Sequence, residues 1–373
     1  MYNSNWQFFN PVSITSGAGT LEQLPVLAIG EHWLLLTSSG FTRRGISARL
    51  QNMLSPIHMT VYDQIKPNPE LDDLDTITRQ LRPKQLHGII AVGGGSVLDA
   101  AKVLSVTLPS KEPSPLDKLL RQKFAFEWHT QLPLIVIPTT SGTGAEVTPF
   151  ATVWDKNTHQ KHSVTSNRIY PQHAILDPTL TLSLPHRETL YTGLDSLSHA
   201  LESLWNNNRT SLSEAFAYQA LALANEALPV ILNEPVNLEK RAQMQQASLL
   251  AGLAISQTRT AIAHSISYPI TSHFGVPHGL ACSFTLPGLL RQNLNRMSDN
   301  PSHQLLLTQT LALLDSLDLL GELKQYLSLD QLVQYTESML TPERAGNYLY
   351  SFDTNDFLKT LTDPEKANAG EQP

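Results

Sequence analysis

The sequence predicts two domains, an α/β domain on a mostly parallel sheet and an all-helical domain after it. Short aliphatic runs recur through the first half, at 33–37 (WLLLT), 59–62 (MTVY), 88–92 (GIIAV), 134–138 (LIVIP) and 174–176 (AIL). Most are followed by Gly, Ser, Pro or Asp and then a helical stretch. Short strands alternating with helices build parallel sheets covered on both faces. After Leu184 the aliphatic runs give way to long Ala/Leu/Glu/Gln segments, 211–232 and 238–257. Their apolar residues recur at three and four, as at Leu249, Leu250, Leu253 and Ala254, which is helical spacing. Pro185 marks the boundary, giving domains of 1–184 and 185–373.

Bulk properties narrow the function. A chain of 373 residues, 41% hydrophobic, can bury a full core in two domains. A net charge of −7 with no basic stretch argues against nucleic acid or an anionic membrane as partner. Cys282 is the single cysteine, so an internal disulfide is ruled out and a reducing compartment is expected. The first residues (MYNSNWQFFNPVS) lack the basic and apolar regions of a secretory signal. No uninterrupted apolar stretch reaches the roughly 18 residues of a membrane helix. A soluble, cytoplasmic homodimer is expected, and the polar tail 363–373 reads as frayed.

Two loops invite a ligand. The run HGIIAVGGGSVLDAAK (87–102) is a strand, then Gly93-Gly94-Gly95-Ser96, then a helix carrying Asp99 and Lys102. Glycines admit a phosphate close to the backbone, and the free N–H groups of a helix start attract an anion. A tight strand-to-helix turn without a ligand explains the same residues. The third glycine of the common dinucleotide fingerprint is absent, since Leu98 stands in its place. The second loop, PTTSGTGAEVT (138–148), carries five hydroxyl side chains and two glycines after a strand. Hydroxyls both donate and accept, which suits ribose, phosphate or adenine edges, although a self-satisfied polar loop is the plainer account. Ligands of open α/β sheets sit at the carboxyl ends of the strands.

The helical half carries a candidate metal set. Asp195 and His199 are four apart, one turn along one helix face. His264 follows in AIAHSISYPI, and His278 stands between Pro277 and Gly279, in a sequence that reads as a rigid loop. Taken singly, these are ordinary capped, solvated or buried residues. Together, three imidazoles and one carboxylate suit Fe²⁺ or Zn²⁺.

At these residues the sequence resembles the iron-containing alcohol dehydrogenase family over nearly its whole length. The matching blocks are GGGSVLDAAK, PTTSGTGAEVT, AILDPTLTLSLP, TGLDSLSHALES, AHSISYPI and GVPHG. The resemblance implies a dinucleotide-binding α/β domain, a helical domain and a metal in the cleft between. It implies Asp195, His199, His264 and His278 as metal ligands. Gly94, Gly95 and Ser96 would bind the pyrophosphate, with Asp99 close by. Thr139, Thr140 and Thr143 would line the adenosine side, and Lys161 would lie near the nicotinamide ribose. The implied reaction is hydride transfer between NADH or NADPH and a small aldehyde or alcohol, with the metal polarising the carbonyl.

Two departures bear on chemistry. Many members carry a second histidine four residues after the third ligand, where this chain has Tyr268, so the proton route through that histidine is missing and the Tyr268 hydroxyl becomes a candidate to relay a proton or to bind a phosphonate. Many NAD-preferring members carry an acid after the first nucleotide-domain strand, where this chain has Ser38 and Ser39, with Arg43 and Arg44 nearby. That points to NADPH. The stretch SQTRTAIAHSISYPIT is similar to the phosphonate branch of the family, whose members interconvert phosphonoacetaldehyde and 2-hydroxyethylphosphonate. Arg259 would be the phosphonate-binding cation. On a continuous helix it would point off the face of His264, so this role requires a break between them. Cyclases resembling dehydroquinate synthase share the architecture but need a denser set of lysines and arginines than this chain shows. A non-enzymatic nucleotide or metal sensor is the third reading, and cofactor turnover separates it from the others.

Overall fold

The structure is a computed structural model that describes residues 5–124, 127–158, 160–340 and 345–361. The tail 363–373 lies outside the described residues. The chain divides into two compact units. One comprises Phe9–Leu184 with Val236–Gln245, and the other Met1–Phe8, Pro185–Pro235 and Gln246–Pro373.

The first unit holds a six-stranded parallel sheet: β1 (Ser13–Ser16), β2 (His32–Leu36), β3 (His58–Tyr62), β4 (Gly88–Gly93), β5 (Leu134–Pro138) and, after a hairpin, β8 (His173–Leu176). Their order is β1-β8-β5-β4-β2-β3. The central strands β4 and β5 are buried along their whole length. That is why they read as unbroken aliphatic runs rather than alternating ones. The helices of this unit are α1 (Leu24–Leu27), α2 (Ser39–Arg43), α3 (Ile46–Met53), α4 (Leu71–Leu81) and α5 (Gly95–Thr107). A core of Leu24, Trp33, Leu35, Leu50, Ile90, Ile135 and Ile175 packs against one sheet face.

Two features of this unit were not read from the sequence. Edge strand β1 (SITS) is short and polar, so it lacks an aliphatic signal. β6 (Phe150–Asp155) and β7 (Gln160–Thr165) form a separate antiparallel hairpin. In β6, buried and half-buried residues alternate, the pattern of a strand with one covered face.

The topology fixes where a ligand would lie. From β2 the chain moves outward to β3, returns across β2 to β4, and continues to β5 and β8. The sheet therefore switches direction between β2 and β4, and crevices form at the carboxyl ends of such neighbours. Ser38 follows β2, and the glycine loop follows β4.

The second unit is helical: α6 (His186–Leu204), α7 (Ser211–Asn233), α8 (Leu238–Thr258), α9 (Ile262–Phe274), α10 (His278–Ala281), α11 (Leu286–Met297) and α12 (Pro301–Asp315), with short helices up to Thr360; the first residues of α8 are counted with the other unit. Among the described residues α7 is long and apolar enough by composition to cross a membrane. It is also a core helix, burying Ala217, Ala220, Leu221, Ala224, Leu228 and Ile231. Gly193 of α6 has Leu228 so close that an added Cβ would stand 2.6 Å from its Cδ1.

Candidate functional site

Helix α6 presents Asp195, His199 and Glu202 along one face, at i, i+4 and i+7. All three side chains are buried. Nε2 of His199 lies 3.5 Å from Asp195 Oδ1, Nε2 of His264 also 3.5 Å, and Nε2 of His278 3.8 Å. Donors around one tetrahedral ion at about 2.0–2.2 Å stand roughly 3.3–3.6 Å apart. The spacing matches that of ligands gathered round an ion. The rings of His199 and His264 stack at 4.9 Å, and His264 meets His278 edge-on at 5.2 Å. Nε2 of His264 is buried without a hydrogen-bond partner, a costly state that coordination would relieve. The donor set therefore fits a borderline divalent ion.

Glu202 holds this arrangement. Its Oε1 accepts from the N–H groups of Ala261 (3.0 Å) and His264 (3.2 Å), so it caps the start of α9. Its Oε2 is bonded to Nδ1 of His264. A carboxylate on Nδ1 puts the ring proton there and leaves Nε2 free to coordinate. Burial opposes the charge on Asp195, but the imidazoles of His199, His264 and His278 outweigh it and hold its carboxyl far below the usual range. Burial likewise opposes the imidazolium of His264, while Glu202 and Asp195 together push its pKa up.

His278 begins the short helix α10 rather than standing in a loop, with Pro277 at the N-cap. It is the most open donor, with 33% of its side chain exposed. Gly279 explains how α10 reaches the acid. A Cβ there would stand 1.9 Å from the backbone oxygen of Tyr191 on α6, so only glycine allows this approach. Ser198 Oγ donates to Cys282 O across the same contact at 3.0 Å. Cys282 is fully buried, and its Sγ lies 3.4 Å from Asp195 Oδ1. Burial, then the charges of Asp195 and Glu202, push its thiol well above the ordinary value. Asp195, His264, His278 and Cys282 form a quartet of donor atoms all within 4.8 Å of one another.

In the α/β unit, Gly93 pairs with Pro138 at the ends of β4 and β5, so both polar loops leave the sheet at one level. Gly94 caps α5 in ordinary extended backbone. A Cβ at Gly95 would stand 2.6 Å from Thr143 Cγ2, and one at Gly94 3.3 Å from Thr140 Cγ2. The two loops thus pack closely at the helix start, leaving no room for a side chain at Gly95 and little at Gly94, and the free N–H groups there fit a pyrophosphate. Ser96 Oγ accepts from Asn68 N at 3.2 Å.

Several hydroxyls of the second loop are used internally. Thr139 and Ser141 are buried, and Thr143 Oγ1 accepts from Ala145 N. Lys102 is fully buried and donates to Ala145 O, Thr148 Oγ1 and Phe150 O, clamping this loop to α5. Burial pushes its pKa down to about 8, against the pull of Asp99 and Glu146. Asp99 accepts from Thr152 N at 2.9 Å and lies 3.9 Å from Lys102. Lys161 lies on the hairpin opposite Trp154, with Nζ 5.6 Å from that ring. Ser38 is a half-buried N-cap of α2, bridged to Gln64.

Tyr268 is half-buried on α9, one turn after His264. The break required between Arg259 and His264 exists. Helix α8 ends at Thr258, Arg259 adopts φ 63°, and α9 begins at Ile262. Arg259 is exposed, and among the described residues no ion pair or hydrogen bond joins its guanidinium to the ligand cluster. Sequence reasoning missed Glu202, Cys282 and Gly279. The spacing of Glu202 from Asp195 and His199 was the available signal; Cys282 and Gly279 emerge only from the approach of α10 to α6.

A glycine-rich turn on a parallel sheet and an acid–imidazole cluster on helices define a class, the metal-dependent, nicotinamide-linked oxidoreductases. The model of the iron-containing alcohol dehydrogenase family matches residues 11–178, and that of its C-terminal region matches 189–317. The chain belongs to this family.

Among curated relatives, a phosphonoacetaldehyde reductase of Streptomyces viridochromogenes is 37% identical over 68% of this chain. The match covers 65% of that protein. A 1-propanol dehydrogenase of Citrobacter freundii is 33% identical over 74% of this chain and 71% of its own length. A crystal structure of sulfoacetaldehyde reductase from Bifidobacterium kashiwanohense with NAD⁺ superposes with TM-score 0.87 at 26% identity, covering 96% of this chain and 98% of that one.

Proposed function

We propose that this protein is a metal-dependent, NAD(P)-linked alcohol dehydrogenase that reduces a small aldehyde or runs the reverse. Two-carbon aldehydes carrying a phosphonate are the favoured substrates. The observation that carries the reading is the gathering of three imidazole nitrogens around one oxygen of Asp195, with Nε2 of His264 lacking a hydrogen bond. Asp195, His199, His264 and His278 would hold Fe²⁺ or Zn²⁺. When bound, such an ion polarises a carbonyl oxygen, and the nicotinamide supplies the hydride.

The chain's own residues do the rest. Glu202 fixes the tautomer of His264. Gly94, Gly95 and Ser96 hold the pyrophosphate at the start of α5. Thr139, Thr140 and Thr143 bound the adenosine side, Asp99 stays close by under Lys102, and Lys161 serves the nicotinamide ribose. Tyr268 moves the proton at its phenol oxygen. Ser38 stands where a carboxylate would repel a 2′-phosphate, which favours NADPH. Arg259, exposed in the break between α8 and α9, pairs with the substrate anion. Two of the relatives above bear the names of reductases of acetaldehydes with a tetrahedral anionic group, and this supports the anionic substrate. The protein works as a cytoplasmic homodimer, without nucleic acid or membrane as partner; the net charge of −7 supports the first exclusion.

The test is a panel of aldehydes, including phosphonoacetaldehyde and propanal, with NADH or NADPH and with added Fe²⁺ or Zn²⁺. Metal-dependent turnover that Asp195→Asn abolishes is expected. Absence of turnover with every aldehyde would leave the non-enzymatic reading standing.

A further inference from the structure

We propose that Cys282 is a sulfur donor to the metal ion gathered by Asp195, His264 and His278. The proposal rests on the metal reading above and adds a fifth donor beyond the acid and three imidazoles.

Geometry carries it. Cys282 follows His278 by one turn, so the contact that brings His278 to Asp195 brings Sγ as well. For an ion bonded to sulfur at about 2.3 Å and to a carboxylate oxygen at about 2.0 Å, neighbouring positions of a five-donor shell, about 90–120° apart, separate the two donors by roughly 3.0–3.7 Å. Sγ and Asp195 Oδ1 are 3.4 Å apart. A thiol donating a hydrogen bond to Asp195 would account for that one distance. In the same cluster Sγ lies within 4.8 Å of the donor nitrogens of His264 and His278, so it stands among the atoms that would surround the ion. Nε2 of His264, buried and without a hydrogen-bond partner, points to an ion in the same cluster; the cobalt spectrum below decides whether Sγ binds that ion or donates to Asp195.

Binding is balanced by one proton. The thiol gives up its S–H proton to solvent as the sulfur–metal bond forms, and the divalent ion supplies the charge that a buried thiolate otherwise lacks. The consequence is metal choice. A carboxylate and imidazoles accept either Fe²⁺ or Zn²⁺, whereas a thiolate shifts preference further toward the softer ion, Zn²⁺.

Cobalt(II) reports sulfur ligation directly, through a sulfur-to-cobalt charge-transfer band in the near ultraviolet. The full chain is stripped with a chelator and loaded with Co²⁺, and bound metal is counted by elemental analysis. Wild type is expected to show the band; Cys282→Ala is expected to bind Co²⁺ and lose it. Cys282→Ser, which keeps a polar atom in place, should also lack it and serves where the alanine variant does not fold. Cobalt bound by wild type without the band overturns the role of Cys282 and leaves the metal reading intact. A band that persists in a folded, cobalt-loaded Cys282 variant overturns it equally. Wild type that takes up no Co²⁺, Zn²⁺ or Fe²⁺ overturns both this proposal and the metal reading beneath it.

Discussion

At the scale of single residues, Glu202 decides which nitrogen of His264 is free. Glutamine in its place keeps an acceptor for the N–H groups of Ala261 and His264 but offers an amide N–H to Nδ1. The ring proton then moves to Nε2, the atom that faces Asp195. Glu202→Gln should therefore lower metal affinity by about 10–100-fold with the helical content unchanged, measured by competition with a chromophoric chelator. Unchanged affinity would mean that the carboxylate serves only to cap α9. Arg259 is tested differently. Because alanine keeps a Cβ at φ 63°, Arg259→Ala leaves the backbone cost as it is. Loss of a charged hydrogen bond of about 1.5–3 kcal/mol should raise KM for phosphonoacetaldehyde roughly 10–100-fold, with propanal little affected. Equal effects on both would remove Arg259 from the substrate site. The residues with a helical or motif spacing were legible in the sequence: Asp195 and His199 through their interval of four, His264 and His278 through the company they keep. Glu202 obeys the same periodicity. It went unread because a carboxylate inside an Ala/Leu/Ser helix has no signature until its partner on α9 is known.

At the scale of elements, the metal cluster depends on how closely two helix backbones meet. Gly279 lets α10 rest on the carbonyl of Tyr191, and neither that oxygen nor its carbon can swing aside as a side-chain tip would. Gly279→Ala must push α10 away from α6, carrying His278 and Cys282 with it. Overpacking of this kind costs about 1–3 kcal/mol, and donors displaced beyond about 0.5 Å lose productive geometry. The expected result is a folded, destabilised protein that retains little metal after dialysis. Retention at the wild-type level would show that α10 adapts without moving His278. The sequence shows the glycine but not what it touches, because Tyr191 and Gly279 are distant in the chain. The same limit explains the strands. β2, β4, β5 and β8 announce themselves by aliphatic runs, since sheet interiors are buried on both faces; the edge strand β3, with only Met59 buried, shows through its β-branched and aromatic residues instead. β1 is a polar edge, and β6 and β7 form a two-stranded sheet of their own, so none of the three is marked by a continuous apolar run.

At the scale of the whole molecule, metal binding should be visible as stability. The donors come from α6, α9 and α10, far apart in sequence, so an unfolded chain has no preformed site and the binding energy adds to folding. At a free metal concentration 100 times Kd the gain is about 2.7 kcal/mol. For a cooperative unit of 150–250 residues, 1 kcal/mol moves Tm by about 2–4 °C. If the helical unit unfolds on its own, chelation should lower its transition by roughly 5–10 °C. Any transition of the α/β unit would then stay where it is, and NADPH should move that one instead. If the whole chain unfolds as one, a single transition should respond to both ligands, with a metal shift roughly half as large, because the same free energy is spread over twice the unfolding entropy. Scanning calorimetry of the chelated and metal-loaded protein, with Asp195→Asn as the control, separates these outcomes. A Tm that ignores chelation in wild type, or that responds equally in Asp195→Asn, would show that the gathered acid and imidazoles do not hold an ion.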